Sequence, residues 1–249
     1  MTDGFITFEN VSRSFDGVKV LDGLSFSLRK GETVCITGPS GTGKSVTLKH
    51  LVALLEPDAG RITVDGVDVT TADRAALERV RGRIGYLFQS GALLAWLTVA
   101  ENVALPLRET TRLPEAEIES RVARALAAVE LTDAADRYPS EISGGMQKRA
   151  GLARAIVREA DIVLYDEPTS GLDPVTSVRI NGLIRRLGRE LGITSVVVTH
   201  DLPAALKLAD RMMLLKDGRV VEFSTPAEFE SSTNPEVRAF LAAAKGESA

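Results

Sequence analysis

The spacing of hydrophobic and polar positions changes several times along the chain, and each change predicts an element. Thr33-Val34-Cys35-Ile36-Thr37 is a short apolar run of the kind that forms a buried strand; after it Val46, Leu48, Leu51, Val52 and Leu55 recur at helical spacing. Upstream, residues from Phe5 to Leu28 read as antiparallel strands. Asp16-Gly17 supplies a hairpin turn, and Leu24, Phe26 and Leu28 alternate with polar residues. A second hairpin signal, Asp65-Gly66, separates Arg61-Ile62-Thr63-Val64 from Val67-Asp68-Val69. A small β layer thus brackets the first strand–helix unit.

From about Gln89 to Ala160 the period becomes helical. Thr98-Val99-Ala100-Glu101 has the form of a capping box. Pro114 suits a first helical position; Ile118, Val122, Leu126 and Val129 follow on one face, and Glu117–Arg121 is a favourably oriented i,i+4 pair. Strand–helix alternation then resumes. Ile162-Val163-Leu164-Tyr165 reads as a buried strand ending in Asp166-Glu167, and Asp173-Pro174 starts a helix with Ile180, Leu183, Ile184 and Leu187 inward. Thr194 to Thr199 is another buried strand, ending at His200. Met212 to Leu215, Asp217-Gly218 and Val220-Val221 make a hairpin, and Thr225 to Glu228 forms a second capping box. A short helix carrying Val237, Phe240 and Leu241 is followed by a polar, frayed end. The pattern is α/β, with a helical block interrupting the alternation.

Composition narrows the class. At 249 residues, 44% hydrophobic and 26% charged, the chain is ordinary for a globular protein, and no run of 18 apolar residues offers a membrane span. Met1-Thr2-Asp3-Gly4-Phe5 lacks the basic and apolar regions of a signal peptide, and the single Cys35 excludes an internal disulfide, so a cytoplasmic location is expected. With 34 acidic against 30 basic residues the net charge is −4, which gives no general attraction to nucleic acid. Lys148, Arg149, Arg154 and Arg158 resemble a nucleic-acid stripe, but such runs are mostly solvated helix faces, and the acidic balance favours that reading.

Between the first strand and helix lies Gly38-Pro39-Ser40-Gly41-Thr42-Gly43-Lys44-Ser45, a match to the phosphate-binding pattern G-x-x-x-x-G-K-[ST]. Strand, glycine-rich turn and helix aim backbone N–H groups at one anion, and the glycines permit a wrap that a Cβ would forbid. In such a loop Lys44 reaches the outer phosphates and the Ser45 hydroxyl ligates Mg²⁺. Asp166, at the end of a buried strand, suits a metal held through water, and Glu167 suits the orientation or deprotonation of an attacking water. Ser143-Gly144-Gly145 opens a helix and is a second anion-binding terminus. A chain with one P-loop has use for it if it serves another subunit's nucleotide. Phe15 is either a core aromatic or a platform for a base.

These elements, in order and spacing, resemble the ATP-binding subunits of ABC transporters over nearly the whole chain. The P-loop, Gln89, Ser143-Gly144-Gly145, Asp166-Glu167, Ser170-Gly171-Leu172-Asp173 and His200 correspond to the family's Walker A, Q-loop, signature, Walker B, D-loop and H-loop. The resemblance implies a P-loop NTPase with a RecA-like core, an N-terminal antiparallel β subdomain and an inserted α-helical subdomain. It makes 1–249 a single ABC ATPase domain, with 1–88 and 161–249 as the core and β subdomain and 89–160 as the helical subdomain.

It further implies ATP and Mg²⁺ as cofactors. Nucleotide contacts fall on Phe15 and on Gly38, Pro39, Ser40, Gly41, Thr42, Gly43, Lys44, Ser45 and Val46. Metal contacts fall on Ser45, Gln89 and Asp166, and the catalytic group comprises Glu167, His200, Gln89 and Lys44. Ser143, Gly144, Gly145 and Met146 act in trans across a head-to-tail dimer, with Asp173 in the D-loop. Phe15 stands where the family more often has Tyr, and Met146 where it has Gln.

Leu87 to Leu93, Pro106-Leu107-Arg108-Glu109, Ser140 to Met146 and Asp173 to Thr176 are similar to the ATPases of Mla/Mce-type phospholipid transporters. That likeness implies integral membrane permease subunits, a lipid-binding Mce-type protein and a small regulatory subunit as partners, no nucleic acid, and a peripheral place on the inner membrane. A soluble ABC ATPase acting on nucleic acid or ribosomes is the competing class. Its members usually carry inserts or a second ATPase unit, and this chain has neither. A nucleotide-binding regulator without turnover is disfavoured by Glu167. The apolar run Ala92-Leu93-Leu94-Ala95-Trp96-Leu97 is either core or part of a groove where the family seats its permease's coupling helix.

Overall fold

A computed structural model describes residues 4–245; the start of the proposed non-signal N-terminus and the end of the frayed tail lie outside them. The order along the chain begins β1 (Ile6–Phe15), β2 (Val18–Leu28), β3 (Thr33–Thr37), α1 (Lys44–Leu51), β4 (Ala59–Val64), β5 (Val67–Asp68) and α2 (Arg74–Gly82). It continues β6 (Ile84–Leu87), α3 (Val99–Thr110), α4 (Glu115–Ala128), α5 (Gly144–Ile156), β7 (Ile162–Asp166) and α6 (Pro174–Leu191). It ends β8 (Thr194–Val198), α7 (Leu202–Leu208), β9 (Arg211–Lys216), β10 (Arg219–Ser224), α8 (Pro226–Glu230) and α9 (Pro235–Lys245). The chain divides into two compact units, residues 1–80 with 196–249 and residues 81–195.

The first unit holds an antiparallel sheet in the order β2-β1-β4-β5 and the strand run β10-β9-β3-β8. In the first sheet Ile6, Phe8, Val11, Leu21, Leu24 and Leu28 are buried, as the alternating pattern requires. Phe26 joins the layers: it stacks on Phe8 at 4.5 Å between centroids and meets Phe223 of β10 edge-on at 6.2 Å. Arg211 lies 3.9 Å over the Phe223 ring and pairs with the buried Glu32, so the ion pair closes the same seam. Val34, Cys35 and Ile36 of β3 are fully buried, and that burial pushes the Cys35 thiol far above its ordinary range.

The second unit packs α3, α4 and α5 together and pairs β6 with β7 in parallel. Val103, Leu107, Val122, Leu126, Leu152 and Ile156 supply its helical core, and β7 is buried from Ile162 to Tyr165. Both capping boxes form, at Thr98/Glu101 and Thr225/Glu228, and Asp173 caps α6 by accepting from the Val175 and Thr176 amides.

The structure departs from the expected elements at several boundaries. α1 stops at Leu51, short of Leu55, because Ala53 turns left-handed at φ 51° and throws Leu54 outward. Pro114 caps α4 from outside the helix. α2, β6 and α7 are not among the expected elements: α2 turns Ala76, Leu77 and Val80 inward over only nine residues, and the other two have four and seven residues.

Candidate nucleotide site

In the first unit, β3 runs straight into the glycine-rich loop and α1 leaves it. Gly38 has φ 141°, and a Cβ there would stand 2.0 Å from the Leu215 carbonyl oxygen. Gly43 has φ 95° and caps α1 in the left-handed conformation; its Cβ would meet Leu21 at 2.7 Å and the Val20 carbonyl at 2.9 Å. Both glycines are therefore required twice, by dihedral and by space. The loop is laced internally. Lys44 Nζ donates to the Gly38 and Pro39 carbonyls at 2.8 and 2.7 Å, and Thr42 Oγ1 donates to the Pro39 carbonyl at 2.9 Å. Pro39, Ser40 and Gly41 face solvent while Lys44 is buried, which gives an open rim above a fixed ammonium. A concavity of backbone N–H groups at a helix start, with a lysine at its base, is built for an anion.

Phe15 and His200 belong to the same unit. Phe15 ends β1, pairs in register with Val18 across the Asp16-Gly17 turn, and has the Arg13 guanidinium 4.8 Å over its ring. The same β2 strand packs on Gly43 through Val20 and Leu21, so the aromatic face and the loop share one scaffold. The Thr199 amide donates to the Ile36 carbonyl at 3.2 Å, so exposed His200 follows beside the end of β3, where the loop begins.

The second unit gathers the remaining candidates around α5. Ser143 caps this helix by accepting from the Met146 amide at 3.3 Å; Ser143 and Gly144 are exposed, and Gly145 is buried. Gly145 has a packing role as well, since its Cβ would meet Thr176 Cγ2 at 2.5 Å, and Thr176 Oγ1 donates to the Asp173 carboxylate at 2.5 Å. The helix start and the Asp173 turn are locked together. Gln89 Nε2 donates to Ser170 Oγ at 3.2 Å, joining the loop after β6 to the loop after β7. Glu167 itself sits at φ 49°, a left-handed conformation unusual for a side chain with a Cβ. Such strain clusters at functional positions.

Four residues of this unit escaped sequence reasoning. Tyr86 stacks on Phe88 at 4.1 Å and donates to Asp166 Oδ2 at 3.4 Å; burial, with the Asp166 charge adding to it, pushes its hydroxyl well up. Lys148 is 6% exposed and donates to the Gln89 carbonyl and, at 3.4 Å, to the Glu167 carbonyl. Arg154 donates to the Gly91 and Ala92 carbonyls at 2.8 and 2.7 Å. The expected solvated face is therefore wrong for Lys148 and Arg154: both turn inward to satisfy loop carbonyls, and burial depresses the proton affinity of each. Asn102, fully buried, accepts from the Leu94 amide at 2.7 Å and donates to the Leu94, Leu97 and Thr98 carbonyls. That clamp holds the segment from which Trp96 projects, 72% exposed, so Trp96 is not a core residue.

The ABC transporter family model matches residues 21–170. The chain belongs to the ABC transporter family. Escherichia coli K12 MlaF, the ATP-binding protein of an intermembrane phospholipid transport system, is 42% identical over 222 residues, 89% of this chain and 82% of the relative. The Mycobacterium tuberculosis H37Rv protein mkl, named as a probable ribonucleotide transport ATP-binding protein, is 40% identical over 245 residues, covering 96% and 68%. Among solved structures, the ATP-binding cassette MJ0796, a post-hydrolysis dimer bound to ADP and Pi, superposes with a TM-score of 0.81 at 34% identity, covering 89% of this chain and 98% of that one. The fold is that of an ABC ATPase, with mixed α/β sheets and an antiparallel strand subdomain, and the protein is an ATPase. Among the described residues no helix is long and apolar enough to cross a membrane.

Proposed function

We propose that this ATPase works as a pair of copies enclosing two ATP molecules and drives phospholipid movement through a separate integral membrane permease. The observation that carries the nucleotide half is the loop of Gly38 to Ser45, whose Gly38 and Gly43 admit no Cβ and whose buried Lys44 lies beneath an exposed rim of Pro39, Ser40 and Gly41. The lipid half rests on the likeness to MlaF, together with the exposed Trp96 on its clamped segment.

In this reading each nucleotide lies between one copy's P-loop and its partner's Ser143, Gly144 and Gly145, with Met146 beside them. Phe15 stacks on the base, and the loop from Gly38 to Val46 binds the phosphates. Lys44 neutralises the outer phosphates, Glu167 orients and deprotonates the attacking water, and His200 donates to charge developing on the γ-phosphate. Gln89 relays that phosphate's presence, and Asp173 aligns the D-loop.

Ser45, Gln89 and Asp166 all offer oxygen donors, a set that suits Mg²⁺. Among the described residues no group of three His, Cys, Asp or Glu could hold a metal alone, in keeping with an ion that arrives on phosphate. Bound there, Mg²⁺ would offset phosphate charge; Tyr86 orients the Asp166 carboxylate by its hydrogen bond.

Residues 89–160 form the helical subdomain and the remainder the core. The protein lies at the cytoplasmic face of the inner membrane, held by its permease, with a lipid-binding Mce-type protein and a small regulatory subunit in the assembly and no nucleic acid.

The test is purification with the associated membrane protein, reconstitution, and measurement of hydrolysis together with phospholipid transfer between vesicles. ATP-dependent transfer supports the reading. Hydrolysis stimulated by a ribonucleotide or another solute, with no lipid transfer, would reassign the cargo while leaving the ATPase intact.

A further inference from the structure

We infer that Lys148 is a positioning residue that ties the signature helix to the strained backbone of Glu167 and to Gln89, so that what binds at Ser143 and Gly144 biases the geometry of the water-activating carboxylate in the same subunit. The inference rests on the roles proposed above for Ser143, Glu167 and Gln89.

Three observations carry it, all within the second unit. The first is reach. α5 lies against β6 because Gly85 and Gly151 leave no room for side chains: a Cβ on Gly85 would be 2.1 Å from the Ala155 carbonyl oxygen, and one on Gly151 would be 2.7 Å from Leu87 Cδ1. That approach brings Lys148, one turn before Gly151, to the carbonyls of Gln89 and Glu167. The second is chemistry. An ammonium carries three donors on a flexible stem, so one lysine can serve carbonyls from two loops at once. Its burial opposes the charge, and the nearby Glu167 and Asp166 carboxylates favour it.

The third is strain. A left-handed non-glycine residue persists only when its surroundings over-determine it. The Glu167 carbonyl accepts from the Ser170 amide at 3.1 Å and from Lys148, and Ser170 Oγ in turn accepts from Gln89. Lys148 and Gln89 thus grip the same turn from two sides. Lys148 follows the exposed, capped start of α5 by a little over one turn of a 13-residue helix, so any shift of that start is carried to the Glu167 carbonyl through a rigid lever.

Arg154 is the internal control. It lies on the same helix, is similarly inward, and donates only to Gly91 and Ala92, away from Glu167. Steady-state hydrolysis and ATP binding are measured on the full chain carrying Lys148→Met, Lys148→Arg, Arg154→Met, Lys44→Ala or Glu167→Gln. The expected result is a fall of at least tenfold in kcat for Lys148→Met, with the Kd for ATP unchanged within twofold. Lys148→Arg, which keeps charge and donors, recovers a third or more of the activity, and Arg154→Met retains a kcat within threefold of the parent. If Lys148→Met does not stay folded, Lys148→Gln, which removes the charge and shortens the reach while keeping two N–H donors, is judged by the same criteria.

Normal kcat in Lys148→Met overturns the inference. So does a loss that Lys148→Arg fails to recover, that Arg154→Met shares, or that follows a parallel loss of ATP binding, since each of these marks a purely structural tie. If Glu167→Gln hydrolyses ATP normally, the underlying role of Glu167 fails instead, and the Lys44→Ala arm separately reports whether the P-loop binds the nucleotide.

Discussion

The two units hold their candidate groups in opposite ways. In the first, the phosphate cradle is contiguous backbone: Gly38 to Ser45 supply amides, dihedrals and the lysine within eight consecutive residues. In the second, Gln89, Lys148, Glu167 and Ser170 come from three distant stretches and meet through side-chain hydrogen bonds. A backbone site tolerates no change of backbone freedom but is indifferent to many side chains. A converged site should tolerate backbone-neutral changes and fail when one donor is lost. That difference can be broken or sharpened by substitution.

The largest effect is expected at Glu167. Replacing it with Gln keeps shape and backbone but removes the carboxylate proposed as the base, so turnover should fall about 10²–10⁴-fold while ATP stays bound. Rapid-quench hydrolysis with a parallel binding isotherm checks this; near-normal turnover would remove Glu167 from the chemistry. With ATP, the same variant should convert monomer or weak dimer into a stable dimer, and a nucleotide-independent monomer by light scattering would count against the paired arrangement.

Next comes Gly38→Ala, which strikes the backbone site where a Cβ would meet the Leu215 carbonyl at 2.0 Å. A loss of about 3 kcal/mol or more is expected from the forced shift and the unfavourable dihedral, together with loss of ATP binding. Denaturant melts and a nucleotide-binding assay read it out. Wild-type stability would mean the loop is far more yielding than its packing implies.

Asn102→Ala should cost about 2–4 kcal/mol, because it takes the side-chain partner from the Leu94 amide and the Leu97 carbonyl, while the Thr98 and Leu94 carbonyls keep the amides of residues 102 and 97; denaturant melts check it. The smallest effect on the fold belongs to Trp96→Ala: within about 0.5 kcal/mol, as for exposed positions generally, yet with weakened assembly with the permease and transport uncoupled from hydrolysis. A large drop in melting temperature with unchanged permease binding would show that Trp96 serves the fold and not docking.

The fold was legible where local physics is strong. Period-two alternation marked β2, the three Asp-Gly turns marked the β1–β2, β4–β5 and β9–β10 hairpins, and Thr98, Asp173 and Thr225 announced their helices by cap chemistry. α2 was not legible, although Ala76, Leu77 and Val80 recur at helical spacing on its inner face; a nine-residue helix repeats that period too few times to stand out. The glycine-rich loop was legible because its tight wrap between β3 and α1 requires particular residues at adjacent positions.

By itself, then, the sequence determined the glycine-rich turn between β3 and α1, the Asp-Gly hairpins and the α/β alternation, since each depends on dihedral preferences and spacings that neighbouring residues impose on one another. Only the tertiary structure decided where Lys148 and Arg154 point, that Tyr86 reaches Asp166, and that Trp96 stands in solvent while Asn102 holds its segment from within. A basic run looks the same in sequence whether its charges meet water or buried carbonyls. The difference is made by loop carbonyls brought beside the helix by Gly85 and Gly151, which accept from the lysine and the arginine.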